Sequence, residues 1–79
     1  MNREKLLAKA RNNPRGLRFP EVCALAEAFG FQLIRQRGSH RMFARRGVPI
    51  HPNLQPDKNG MAKGYQVRDL LKLIDEYGE

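Results

Sequence analysis

FQLIRQRGSHRMFARRGVPIHPNL, residues 31–54, is three short stretches punctuated by Gly38 and Gly47. Phe31–Arg37, Ser39–Arg46 and Val48–Leu54 read as three strands, with the glycines marking the turns between them. Strands joined this closely must run antiparallel, because a parallel pair needs a long crossover. Pro49 and Pro52 lack the amide hydrogen that a central strand donates, so the third strand belongs at a sheet edge.

Helical spacing flanks this block on both sides. Arg3–Arg11 reads as a short helix with Asn2 as its cap and Leu6, Leu7 and Ala10 on one side. Asn12-Asn13-Pro14-Arg15-Gly16 breaks it. A second helix starts at Pro20, a residue suited to a first helical turn, and its stripe of Val22, Leu25, Ala26 and Phe29 has the spacing of a core-facing helix. Gly30 supplies the left-handed stop. After a polar loop over Gln55–Lys63 that includes the Asn59-Gly60 turn pair, Tyr65–Tyr77 forms the last helix, with Val67, Leu70, Leu71 and Ile74 on one face. The pattern predicts a small α+β fold: a three-stranded antiparallel sheet with helices covering one face only.

Strand parity then sorts the side chains. Phe43 is the large residue of the second strand and is expected to face the core, which turns His40 and Met42 outward. Val48, Ile50 and Leu54 share a parity in the third strand and are expected inward, with His51 outward. A two-residue turn at Arg46-Gly47 would set Phe43 opposite Ile50 and Met42 opposite His51. A three-residue loop at Arg37-Gly38-Ser39 would set Leu33 opposite Phe43. In this register His40, His51, Ile34 and Met42 share one uncovered face.

Seventy-nine residues form one domain spanning 1–79, since so short a chain cannot divide its apolar residues between two cores. No apolar run is long enough to span a membrane. Met1–Arg11 alternates charge with Leu and Ala and lacks an apolar signal core, so a cytoplasmic location is expected. Cys23 has no cysteine partner and sits at the shoulder of the second helix's stripe, the position of a small buried hydrophobe. Fifteen Lys and Arg against eight Asp and Glu leave a formal charge of +7. Arg35, Arg37, Arg41, Arg45 and Arg46 crowd one short stretch. This balance favours a polyanionic partner, nucleic acid or an acidic protein.

The chemistry open to the chain is narrow. Two histidines without a cysteine cluster make a poor metal site, and Asp57 is the only acid near either of them in sequence, so no metal or other cofactor is expected. There is no glycine-rich phosphate loop, nucleophile elbow or pair of carboxylates. What remains is Gly38-Ser39-His40 at the head of an arginine-rich strand. Histidine titrates near neutrality and can take or give a proton. RNA carries its own nucleophile, the 2′-hydroxyl, so its cleavage needs only a base, charge stabilisation and an acid. His40 has the chemistry of the base, Arg37 and Arg41 or a lysine that of the phosphate-neutralising cation, and His51 that of the acid. On residue chemistry alone the commoner reading of either histidine is a solvated bystander.

Ala28-Phe29-Gly30-Phe31 through Gly38-Ser39-His40-Arg41-Met42-Phe43 resembles the HicA toxin family, as does Asn53-Leu54-Gln55-Pro56 followed by Tyr65-Gln66-Val67-Arg68-Asp69-Leu70-Leu71. The matches cover roughly residues 18 to 77. The resemblance implies a domain like the double-stranded-RNA-binding one, whose α-β-β-β-α order this chain repeats behind an extra short N-terminal helix. It implies a metal-independent endoribonuclease (an mRNA interferase) silenced by a HicB-type antitoxin in a toxin–antitoxin hetero-oligomer. The family's catalytic histidine maps onto His40. Arg35, Arg37, Ser39, Arg41 and Lys63 are the expected RNA contacts, and His51 a possible second acid or base. Ile34 and Met42, apolar and outward by parity, are the expected antitoxin contacts. The alternative is a non-catalytic RNA-binding module. Many family members follow the triplet with a second histidine, where this chain has Arg41, and Gly64 stands where a proline is common.

Overall fold

The computed structural model describes residues 2–78. Helix α1 runs over Arg3–Asn12, and the Asn2 side chain caps it by accepting a hydrogen bond from the Lys5 amide at 2.8 Å. Pro14–Gly16 forms a single 3-10 turn. Helix α2 spans Phe19–Ala28, so it begins one residue before Pro20 and keeps the proline inside the first turn, where a missing amide hydrogen costs nothing. Its expected stripe of Val22, Leu25, Ala26 and Phe29 is buried. Gly30 follows at φ 89°, the conformation that ends the helix.

Three strands follow: β1 at Gln32–Arg37, β2 at His40–Ala44 and β3 at Asn53–Leu54, antiparallel and in the order β1-β2-β3. Helix α3, Gly64–Tyr77, closes the chain with Val67, Leu70, Leu71, Leu73 and Ile74 buried. The inner face of the sheet contributes Phe43 and Leu54 to the core, and Leu17, Phe31 and Val48 join from the connections. Helices therefore back one face, and the α+β architecture stands as expected.

The third strand is much shorter than its apolar pattern suggested. Met42 pairs with Asn53, and the Phe43 amide donates to the Pro52 carbonyl at 2.9 Å, so Phe43 lies against Pro52 and not Ile50. Two prolines within four residues remove donors from the ladder, and the chain from Val48 to Pro52 runs as an irregular loop. Val48 and Leu54 are buried as expected, but Ile50 is 57% exposed.

The β1–β2 hairpin reaches its expected register by another route. Leu33 does pair with Phe43, yet the turn holds only Gly38 and Ser39, with Arg37 paired to His40. Gly38 has φ 54°, the positive value that a two-residue hairpin demands of a glycine in its first position. The residue saved in the turn is inserted as a β-bulge at Ile34, between the Leu33–Phe43 and Arg35–Met42 pairs.

Candidate active site

That bulge decides which side chains meet on the open face. In an unbroken strand Leu33, Arg35 and Arg37 would share one face. The extra residue resets the alternation, so Leu33 keeps the face of Phe43 while Arg35 and Arg37 move to the face of Met42 and His40. Arg35, Arg37, His40, Met42 and Asn53 consequently line one shallow concavity of about 360 Å³. Arg37 closes β1 directly across from His40, which opens β2, and Asn53 reaches the same space from β3.

The arrangement is simple electrostatically. The lining carries two guanidinium groups, one exposed imidazole, one amide and one half-buried thioether, and no carboxylate. Two fixed cations beside a titratable base suit an anion carrying a proton to be removed. Among the described residues no three His, Cys, Asp or Glu side chains are grouped as a metal site.

The other residues singled out from sequence fall elsewhere. Arg41 has the parity of Phe43 and lies on the opposite face of β2. Its guanidinium sits 5.3 Å from the Phe19 ring centroid, with Nη1 3.9 Å from the Cys23 sulfur. Arg45 also turns to the protein: it lies over the Phe31 ring and donates to the Gly78 carbonyl. The crowded arginines of the sequence thus separate: Arg35 and Arg37 line the open face, Arg41 and Arg45 pack against the protein, and Arg46 is exposed in the turn after β2. Ser39 is exposed in the turn, and Lys63 caps α3 through its backbone, outside the concavity.

His51 stands apart from His40. It lies on the irregular loop before β3, outside the residues that line the concavity. It lines a second groove, between the 50–54 segment and α3. Ile34 is 52% exposed, but the bulge puts Arg35 in its place opposite Met42. Asn53 was missed as a site residue. Its signals in sequence are its place on the edge strand and in the Asn53-Leu54-Gln55-Pro56 stretch; the expected pairing of Met42 with His51 is replaced by Met42 with Asn53.

Cys23 is buried, as its place in α2 suggested. Loss of hydration on burial pushes its thiol pKa up, against a smaller opposing pull from Arg41. Such a thiol is a packing group and not a nucleophile.

A family model described as the HicA toxin of bacterial toxin–antitoxin systems matches residues 19–75. The match takes in α2, the whole sheet and nearly all of α3, and so every residue of the concavity. No curated protein and no solved structure matches the chain.

Proposed function

The chain belongs to the HicA family of toxins from bacterial toxin–antitoxin pairs, and from that premise we propose that it is a metal-independent endoribonuclease acting on mRNA in the cytoplasm, with His40 as its catalytic residue. The observation that carries the reading is the open-face concavity that His40 lines together with Arg35, Arg37, Met42 and Asn53. His40 takes the proton of a 2′-hydroxyl, and that oxygen bonds to the adjacent phosphorus. Arg35 and Arg37 neutralise the charge that collects on the phosphoryl oxygens as the bond to the 5′-oxygen breaks. The concavity offers no second imidazole or carboxylate, so the departing oxygen takes its proton from solvent. The products are a 2′,3′-cyclic phosphate and a free 5′-hydroxyl. A donor set with a single imidazole and no acid also leaves a catalytic metal short of ligands.

The antitoxin, a HicB-type protein in this reading, silences the toxin by covering the same face. Met42 is a half-buried apolar spot in the concavity, and Ile34 is exposed at the bulge, outside the strand pairing. Apolar side chains of the partner suit these two, and its carboxylates suit Arg35 and Arg37.

The test is cleavage of RNA by the purified chain and by His40→Ala, with circular dichroism as the control for folding. The variant is expected to fold, to bind antitoxin and to cut no RNA. Cleavage by the parent is expected to persist in excess chelator and to stop when the scissile nucleotide is 2′-deoxy. A parent that binds RNA but never cuts it would be a binding module. A His40→Ala variant that cuts as fast as the parent would end the assignment of His40.

A further inference from the structure

The groove between the 50–54 segment and α3 is larger than the catalytic concavity, about 490 Å³, and the two adjoin because Asn53 lines both. One wall is built on α3 from Tyr65, Asp69 and Lys72. Their i, i+4, i+7 spacing stacks them along a single face of the helix. The other wall is Ile50 and His51, on the loop that the two prolines keep out of the sheet. Tyr65 and Ile50 are more than half exposed, at 55% and 57%, two of the few large apolar side chains left in water. The Tyr65 hydroxyl accepts a hydrogen bond from the Gln66 side-chain amide at 3.3 Å.

This lining differs in kind from that of the concavity. Where the concavity has two arginines and no acid, the groove has a single lysine, one carboxylate, the His51 imidazole, the Tyr65 ring and aliphatic side chains, Ile50 among them. A phosphate gains nothing from Asp69 or Ile50. A nucleobase gains from each: a flat face against the Tyr65 ring, an apolar edge against Ile50, an acceptor in Asp69 for its amino or imino hydrogens and a donor in Lys72 for its carbonyls. Asn53 joins the two spaces, where a sugar would lie between its phosphate and its base.

Resting on the ribonuclease reading, we propose that this groove is the base-binding subsite: it holds one unstacked nucleobase, adjacent to the scissile phosphate, of a single-stranded RNA. The base stacks on Tyr65 and is read by Asp69 and Lys72. The substrate class follows, because a base held in a duplex is not free to enter such a groove.

The experiment uses RNA oligonucleotides protected by a single 2′-deoxy at the scissile position. Tyr77 packs against the core, so Tyr77→Phe leaves Tyr65 as the lone tyrosine and a fluorescent reporter. Its emission is expected to be quenched when the oligonucleotide binds. Tyr65→Ala is expected to weaken binding between about fivefold and a hundredfold, the size of one base–aromatic stack, and Tyr65→Phe to restore most of it. An abasic site on one side of the scissile phosphate is expected to weaken binding to the parent by the same factor and to have no further effect on Tyr65→Ala. That arm needs no protein variant for its first half. Unchanged emission together with indifference to an abasic site on either side would overturn the proposal. So would a Tyr65→Ala chain that binds RNA normally but has lost its antitoxin, which would make the groove a protein-docking surface. A parent chain that neither binds nor cuts RNA would instead remove the ribonuclease reading itself.

Discussion

Arg37 ends β1 on the open face, while the Arg41 guanidinium lies over the Phe19 ring on the covered one. The two are four residues apart, yet their substitutions should separate into different measurements. RNA affinity falls with salt by about 0.7 log units per tenfold change in salt for each phosphate contacted on a single strand. Arg37→Ala is expected to lower that slope by about this amount, with Arg35→Ala doing the same. Arg41→Ala is expected to leave the slope alone and to cost about 1 kcal/mol of stability, because it removes a cation–π contact and the cover of Cys23. Affinity titrated against salt, beside thermal unfolding of each variant, distinguishes the two roles. His40 belongs to the same scale: Gly-Ser-His was visible as a motif, but its surroundings were not, because face assignment in a strand depends on every residue inserted between it and the core.

At the scale of elements, the β1–β2 hairpin had two registers open to it. A three-residue loop with a regular strand and a two-residue turn with a bulge both set Leu33 opposite Phe43. Only the second brings Arg35 and Arg37 beside His40. Removing the bulged residue should therefore be harmless to the site. Deletion of Ile34 turns the bulged strand into a regular one in which Leu33 and Arg35 alternate faces unaided, and the remaining pairs are unchanged. The deletion variant is expected to fold and to cleave RNA within a few-fold of the parent, while binding antitoxin more weakly if Ile34 meets it. Loss of cleavage in a folded deletion variant would mean that the bulge positions the arginines in a way that regular alternation does not reproduce. The third strand carries a similar lesson. Its apolar alternation was real, but backbone donors are what make a strand, and Pro49 and Pro52 removed them.

For the whole molecule, α1 lies outside the residues matched by the family yet is part of the core, with Leu6 and Ala10 buried. Charge pairs with α2 and α3 help to tie it on. Arg11 meets Asp75 of α3, and the Lys9 ammonium lies 2.8 Å from a Glu21 carboxylate oxygen of α2. Glu21 also accepts a hydrogen bond from the Arg18 amide, and Lys9 first and then this bond hold its carboxyl pKa below the usual 4.5. A depressed carboxyl stabilises the fold above its ordinary pKa and loses that contribution as pH falls through the lowered one. Glu21→Gln is expected to cost less than about 1 kcal/mol at neutral pH, since Lys9 stays partly in water, and to flatten the decline in stability below about pH 4.5. Thermal unfolding of parent and variant between neutral pH and pH 3 checks this. An unchanged acid limb would mean that Glu21 is paired no better folded than unfolded.

The amino-acid sequence by itself determined the three helices, the three-stranded antiparallel order, the buried stripes of α2 and α3 and the outward face of His40. These follow from periodicity, turn glycines and proline chemistry, all local properties. Tertiary structure alone decided that Arg35 and Arg37 join His40 while Arg41 and Arg45 do not, that Asn53 and not His51 completes the concavity, and that Ile50 is left in water. Each of those outcomes turns on a shift of one or two residues in strand register. Local pattern barely distinguishes the alternatives. The choice falls to the packing of Phe43 and Leu54 against the helices and to the backbone hydrogen bonds that remain once the prolines have withdrawn theirs.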